Sequence, residues 1–297
     1  MSQRHFMDLL RARFAEGKAV CVGLDLDRSK FPSRYQHRQL DDELLYEFGV
    51  DIIEATADIA CAYKPNSAFY EAYGSTGMAA LARIIAYSHQ AAPGVPVILD
   101  AKRGDIDNTN LGYIRSAFDH LGADAVRVHP YLGGEALQPF LDREEKGIIV
   151  LCCTSNKGAG EFQDRRVLID DLEEQAFHEH VNHMSYPGGG KQGAVALYQH
   201  VAYRVSHHWN GHGNCCLVVG ATYPDELRQV RQIVGDMPLL IPGIGAQGGD
   251  VAVTVQKGRD LKGQGMIINS SRGIIYAADP RAEALRLDGL IRQFATA

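Results

Sequence analysis

Apolar and β-branched residues gather into eight short runs along the chain, at 19–24, 59–63, 95–99, 125–128, 148–152, 215–219, 238–241 and 266–268. Each run is apolar almost throughout, the pattern of a strand buried on both faces. Between the runs, apolar positions recur every three to four residues, which predicts helices over 41–57, 75–91, 108–121, 133–141, 193–209, 224–234, 247–257 and 279–295. Strands alternating with helices demand right-handed crossovers and hence a parallel sheet. Eight such units predict an α/β fold closed into a (β/α)8 TIM barrel. An open doubly wound sheet is the alternative. Its first strand usually leads into G-x-G-x-x-G, whereas here it leads into Val22-Gly23-Leu24-Asp25-Leu26-Asp27.

The rhythm breaks once. Over 156–193 no strand pattern is visible, and the stretch carries Asp170, Asp171, Glu173 and Glu174 followed by Pro187-Gly188-Gly189-Gly190. It predicts an enlarged loop after the fifth strand, at the end of a barrel where loops carry function. No linker, repeat or low-complexity segment divides the rest, so residues 1–297 are expected to form one barrel domain.

Composition narrows the partners. With 45% hydrophobic residues the chain can bury a substantial core, and a net charge of -6 leaves no basic footprint for nucleic acid or an acidic membrane. A small-molecule partner is expected. The N-terminal MSQRHFMDLLRARF is amphipathic and charged, without the apolar core of a signal peptide, and no run of about 18 apolar residues follows, so a cytoplasmic location is expected. Two of the six cysteines' pairings are adjacent, Cys152 with Cys153 and Cys215 with Cys216, inside strand-like runs. Neighbouring strand residues face opposite ways, so these are expected to be buried thiols of a reducing compartment, and no C-x-x-C exists. His178, His180, His183, His207, His208 and His212 form no H-E-x-x-H, and Gly211 interrupts the one four-residue spacing, so no metal site is expected. His129 reads as structural.

The chemistry concentrates at strand ends. In Leu99-Asp100-Ala101-Lys102-Arg103-Gly104-Asp105 an apolar strand suddenly acquires charge. Period two puts Asp100 and Lys102 on one face, towards the open mouth where active sites of this fold lie. Lys64 closes the second strand and Asp25 the first. If these meet, Asp25, Lys64, Asp100, Lys102 and Asp105 form an alternating array whose carboxylates keep each lysine protonated, a positioned proton donor rather than a Schiff-base nucleophile. After the seventh and eighth strands come Pro242-Gly243-Ile244-Gly245-Ala246-Gln247-Gly248-Gly249 and Asn269-Ser270-Ser271-Arg272-Gly273. In this fold those two loops commonly hold phosphate, through glycine backbone N–H groups, a helix N-terminus and here the Arg272 guanidinium. Thr154-Ser155-Asn156 suits either hydrogen bonding to a heterocyclic ring or an ordinary loop; spacing does not decide.

Together these motifs, with Lys64-Pro65-Asn66 and Val219-Gly220-Ala221-Thr222, resemble the orotidine 5'-phosphate decarboxylase family, in its longer bacterial form (the type 2 subfamily), over nearly the whole chain. The resemblance implies conversion of orotidine 5'-phosphate to UMP and carbon dioxide without metal or organic cofactor. It implies that Lys102 protonates C6, that Asp100 opposes the substrate carboxylate, and that Lys64 and Asp105 complete a charged tetrad. It further implies a homodimer in which Asp105, Ile106 and Thr109 reach the partner's site. Asp25 and Lys64 would hold ribose hydroxyls, Ser155 the pyrimidine, and Gln247 with Arg272 the 5'-phosphate. The sequence departs from the family at Lys157, where proline is usual, and in the 156–193 insertion. A magnesium-dependent sugar phosphate decarboxylase or aldolase of the same superfamily is the alternative, disfavoured by the cation at Lys64; a noncatalytic phosphosugar-binding barrel would leave the lysines and carboxylates without purpose.

Overall fold

Eight parallel strands make the central sheet: β1 (Val20–Gly23), β2 (Ala62–Lys64), β3 (Ile98–Arg103), β4 (Ala125–Val128), β5 (Gly147–Cys153), β8 (Cys215–Val219), β9 (Leu239–Pro242) and β10 (Met266–Ser270). The structure is a computed structural model that describes residues 4–169, 193–244 and 248–295. Hydrogen-bonded neighbours run in the order β2-β1-β10-β9-β8-β5-β4-β3. The remaining seam between β2 and β3 is closed by single bridges, Tyr63 to Val97 and Asn66 to Asp100. Pro65 and Pro96 explain why the seam is thin: neither has an N–H to give, and both serve only as acceptors, from Asp100 N (2.9 Å) and Tyr63 N (3.0 Å). The expected barrel is therefore present.

Two strands are displaced from their apolar runs. Ile59 and Ala60 turn back to cap the preceding helix, both N–H groups donating to Thr56 O, so β2 starts only at Ala62. β3 starts beyond Pro96 and continues through its charged residues to Arg103. The 156–193 interval, expected to lack strands, contains one among its described residues: β6 (Arg166–Leu168) pairs antiparallel with β7 (Ala194–Ala196), which also takes the first residues of the helix expected from 193. Three residues apiece, and outside the barrel, these strands are too short for a periodic signal. Asp170 to Gly190, with His178, His180 and His183, lies outside the described residues.

Alternate strand residues divide between two cores. Cys21, Ala62, Ile98, Ala125, Ile149, Cys216, Val218, Leu240 and Ile267 fill the barrel interior, and Phe6, Leu10 and Phe14 of the N-terminal helix Phe6–Ala15 plug its lower end. Val20, Val22, Val126, Ile148, Val150, Cys215 and Leu217 face outward to the helices. All six cysteines are free and buried. Cys215 and Cys216 split between the two cores as expected, but Cys152 and Cys153 both join the outer one, because the β5–β8 register shifts between Leu151 and Cys153. Among the described residues no helix is long and apolar enough to cross a membrane.

Candidate active site

With the lower end plugged, polar side chains at the opposite strand ends surround a cavity of about 480 Å3. Its apolar floor includes Leu151 of β5 and Val218 of β8. Above that floor stand Asp25 just past β1, Lys64 at the end of β2, Asp100 and Lys102 of β3 and Arg127 of β4. Thr154 to Asn156 line one wall, and Gly243 with Asn269 to Gly273 the other.

Asp100 is the centre of this charge. It is 3% exposed. Its Oδ2 accepts from Lys64 Nζ (3.0 Å) and Arg127 Nη1 (2.6 Å), and its Oδ1 accepts from Lys102 Nζ (2.7 Å). Burial opposes ionisation of Asp100, but the cations Lys64, Arg127 and Lys102 outweigh it and hold the carboxyl far below the ordinary range. Lys64 is buried too. Desolvation pulls its pKa down, yet Asp100 and Asp25, whose Oδ1 stands 3.9 Å away, raise it above the usual lysine value. Oδ1 of Asp25 is buried with no hydrogen bond among the described residues, and it can accept from a donor such as a hydroxyl.

Lys102 departs from the strict alternation expected of β3. Its φ is +50°, and the β3–β4 register shifts between Leu99 and Arg103. The bulge brings the ammonium back onto Asp100 at a cost in backbone strain, a pattern that recurs at functional sites. The two lysines differ in their electrostatic balance. For Lys102, which is only partly buried, desolvation together with repulsion from Arg127 and Lys64 outweighs the pull of Asp100, and its pKa falls below the ordinary lysine value. That makes it a better proton donor.

Asp105, Ile106 and Thr109 do not enter the cavity of their own chain. Among the described residues the Asp105 carboxylate accepts its neighbour's N–H alone, from Ile106 at 2.8 Å, and Asn110 pins the Asp105 backbone through N–H and C=O. The five-membered array expected from sequence is thus four-membered within one chain, with Arg127 added. Ile106 is 57% exposed and Thr109 is exposed.

Ser155 and Arg272 both line the cavity. Gln163 positions the Ser155 segment: Thr154 N donates to its Oε1 and its Nε2 donates to Thr154 Oγ1, both at 2.8 Å. Thr222 Oγ1 donates to Ser155 O at 3.3 Å. Gly220 allows this approach, since a Cβ there would sit 2.7 Å from Ser155 Cα. On the facing wall a Cβ on Gly23 would collide with Ser271 Oγ at 1.8 Å. Arg272 begins a four-residue helix, Arg272–Ile275, so its guanidinium and the neighbouring backbone, rather than a long helix dipole, present positive charge there. Gln247 lies outside the described residues. His129 Nε2 stands 2.9 Å from Gly104 O, in the turn that follows β3.

Arg127 and Gln163 escaped the sequence reading. Arg127 left a readable trace, a lone charge inside the apolar run 125–128. It is 6% exposed, and its Nε is buried with no hydrogen bond among the described residues. Gln163 left none, being one polar residue in a polar insertion.

Such a mouth on such a scaffold defines a class, the (β/α)8-barrel enzymes that act on small anionic molecules. Comparison with known proteins narrows it. The model of the orotidine 5'-phosphate decarboxylase / HUMPS family matches residues 18–287. A Janthinobacterium sp. (strain Marseille) protein named orotidine 5'-phosphate decarboxylase is 46% identical over 273 residues, 92% of this chain and 90% of its own. One of the same name from Azoarcus sp. (strain BH72) is 42% identical over 298 residues, covering 98% and 99%. The structure of Leishmania donovani OMP decarboxylase matches with a TM-score of 0.80 at 39% identity, over 99% of each chain. This chain belongs to the orotidine 5'-phosphate decarboxylase family.

Proposed function

We propose that this protein is the carboxy-lyase that converts orotidine 5'-phosphate to UMP and carbon dioxide in pyrimidine biosynthesis, with Lys102 protonating C6. The observation that carries the mechanism is the Asp100 carboxylate, fixed by three cations above the apolar floor of the mouth. The C6–carboxylate bond breaks with its electron pair left on C6, and the pyrimidine offers that pair no electron sink. Stabilisation must come from a charge already in place, and the Lys102 ammonium supplies it without reorganisation. An N–H of Lys102 then passes its proton to C6, and the amine regains one from solvent. Asp100, held ionised, repels the substrate carboxylate but not neutral carbon dioxide, so it favours bond cleavage.

The rest of the mouth pays for that crowding with binding energy. Asp25, with its unpartnered oxygen, and Lys64 hold the ribose hydroxyls; Ser155 holds the pyrimidine; Arg272 with Gln247 binds the 5'-phosphate. Asp105, Ile106 and Thr109 act in the site of a second copy in a homodimer, a reading supported by their absence from the lining of their own cavity and by the exposure of Ile106 after β3 and Tyr131 after β4, both on the mouth side. The protein works as one barrel domain in the cytoplasm and needs neither nucleic acid nor membrane.

Among the described residues no three His, Cys, Asp or Glu side chains are grouped to hold a metal ion. Lys64 stands between Asp25 and Asp100, where the magnesium of the sugar phosphate alternative would need open carboxylates. Exhaustive chelation is therefore expected to leave turnover unchanged; activity lost to chelator and restored by magnesium would favour the alternative.

Arg272→Ala tests the phosphate wall. The variant is expected to bind the nucleotide at least about tenfold more weakly, roughly 1.4 kcal/mol, while affinity for the phosphate-free nucleoside stays the same. Phosphite added with the nucleoside should raise the wild-type decarboxylation rate. A wild-type enzyme indifferent to phosphite would mean that the phosphate only anchors the substrate.

A further inference from the structure

Arg127 occupies the mouth for a reason that charge balance does not supply. Lys64 alone, 3.0 Å from Asp100 Oδ2, neutralises that buried carboxylate, and Lys102 already takes Oδ1. A third cation on the same carboxylate gives the cavity floor two acids, Asp25 and Asp100, against Lys64, Lys102 and Arg127. Its Nε is buried with no hydrogen bond to a described residue. Its position in the barrel is also specific. Arg127 lies two residues beyond Ala125, which fills the interior core, so its side chain rises on the inner face of β4 one layer above that core.

We infer that Arg127 is a positioning residue for the decarboxylation, locking Asp100 in the orientation that faces the reacting carboxylate and leaving Lys102 only one oxygen of it to hold. With Oδ2 shared by Lys64 on β2 and Arg127 on β4, Asp100 is braced from both neighbouring strands, and only its Oδ1 is turned to Lys102. The groups acting on Lys102 are Asp100 on its own strand, Lys64 from β2 and Arg127 from β4; the last two repel its charge. Removing Arg127 therefore does two things with one sign: it withdraws a repelling cation and frees Oδ2 of Asp100 to join Oδ1 in holding Lys102. Lys102 becomes a weaker acid in both ways.

The inference rests on the roles proposed above for Asp100 and Lys102, and its test reads Lys102 both with and without catalysis. Arg127→Met and Arg127→Lys are compared with the wild type by kcat and KM for orotidine 5'-phosphate, by thermal unfolding, and by NMR titration of 13C-dimethylated lysines, the Lys102 signal being assigned by its loss in Lys102→Ala. For Arg127→Met the expected result is a kcat at least about tenfold lower with KM within about threefold, and a Lys102 titration midpoint about half a pH unit or more higher. Arg127→Lys should return that midpoint towards the wild-type value, because the charge is restored. If Arg127 only compensates buried charge, the melting temperature falls while kcat per folded molecule and the Lys102 midpoint stay put, and the inference is overturned. If Arg127→Met does not fold, Arg127→Lys decides: one ammonium on a shorter stem cannot reproduce the brace, so kcat unchanged from wild type overturns it. A wild type that fails to turn over the nucleotide would sink the proposed function, whereas an unmoved Lys102 midpoint would sink the role of Arg127.

Discussion

Replacing Lys102 with alanine is expected to lower kcat at least about 10^3-fold, roughly 4 kcal/mol of transition-state stabilisation, without unfolding the barrel. The size of the effect follows from the two roles proposed for Lys102, the cation facing the developing carbanion and the donor of the proton to C6, which the substitution removes together. Folding should survive because the Lys102 side chain is 45% exposed at the mouth, and Asp100 keeps Lys64 and Arg127 as partners. Relief of backbone strain at φ +50° would not occur, since alanine finds that conformation no easier. Binding of UMP, which lacks the carboxylate, should change far less than turnover. Steady-state turnover, UMP affinity and a melting curve on the same preparation check all three parts. A loss below about tenfold, roughly 1.4 kcal/mol, would remove Lys102 from the chemical step.

The second large effect concerns assembly. If Asp105 acts in the partner's mouth, Lys102→Ala and Asp105→Ala proteins should each be nearly inactive, and mixing them under conditions that exchange subunits should restore activity. A mixed dimer then has one site with both lesions and one with neither, so at statistical exchange about a quarter of all sites are intact. The structure motivates the experiment, because Asp105 is held by Asn110 outside the cavity of its own chain. If subunit exchange is verified and no activity returns, Asp105 serves its own chain or none, and the shared-site reading fails.

The barrel was legible because its strands are apolar on both faces and its helices amphipathic, so periodicity separates them even where boundaries slip. What slipped has local causes. Pro96 and the turn at Ile59 moved two strand starts, and a register shift after Leu151 put Cys152 and Cys153 into one core. The strand-end charges Asp25, Lys64, Asp100 and Lys102 were legible for a different reason: a charge at the end of a buried strand is costly unless it faces a mouth and a partner. Arg127 follows the same rule and could have been read by it. That Asp105 stands apart from the others was not legible, because the turn at Gly104, with φ +153°, and the grip of Asn110 redirect the chain after β3. Nor could a single chain's sequence show how Gln163, inside the insertion, braces Thr154.

The most direct test of the account is decarboxylation itself, followed in D2O with the purified, chelator-treated protein and orotidine 5'-phosphate. Carbon dioxide and UMP should appear in equal amounts, the UMP carrying one deuterium at C6, and the Lys102→Ala protein should give neither at a measurable rate. Absence of UMP with the wild type, or undiminished turnover by Lys102→Ala, would contradict the central claim that this mouth stabilises and protonates a C6 carbanion through Lys102.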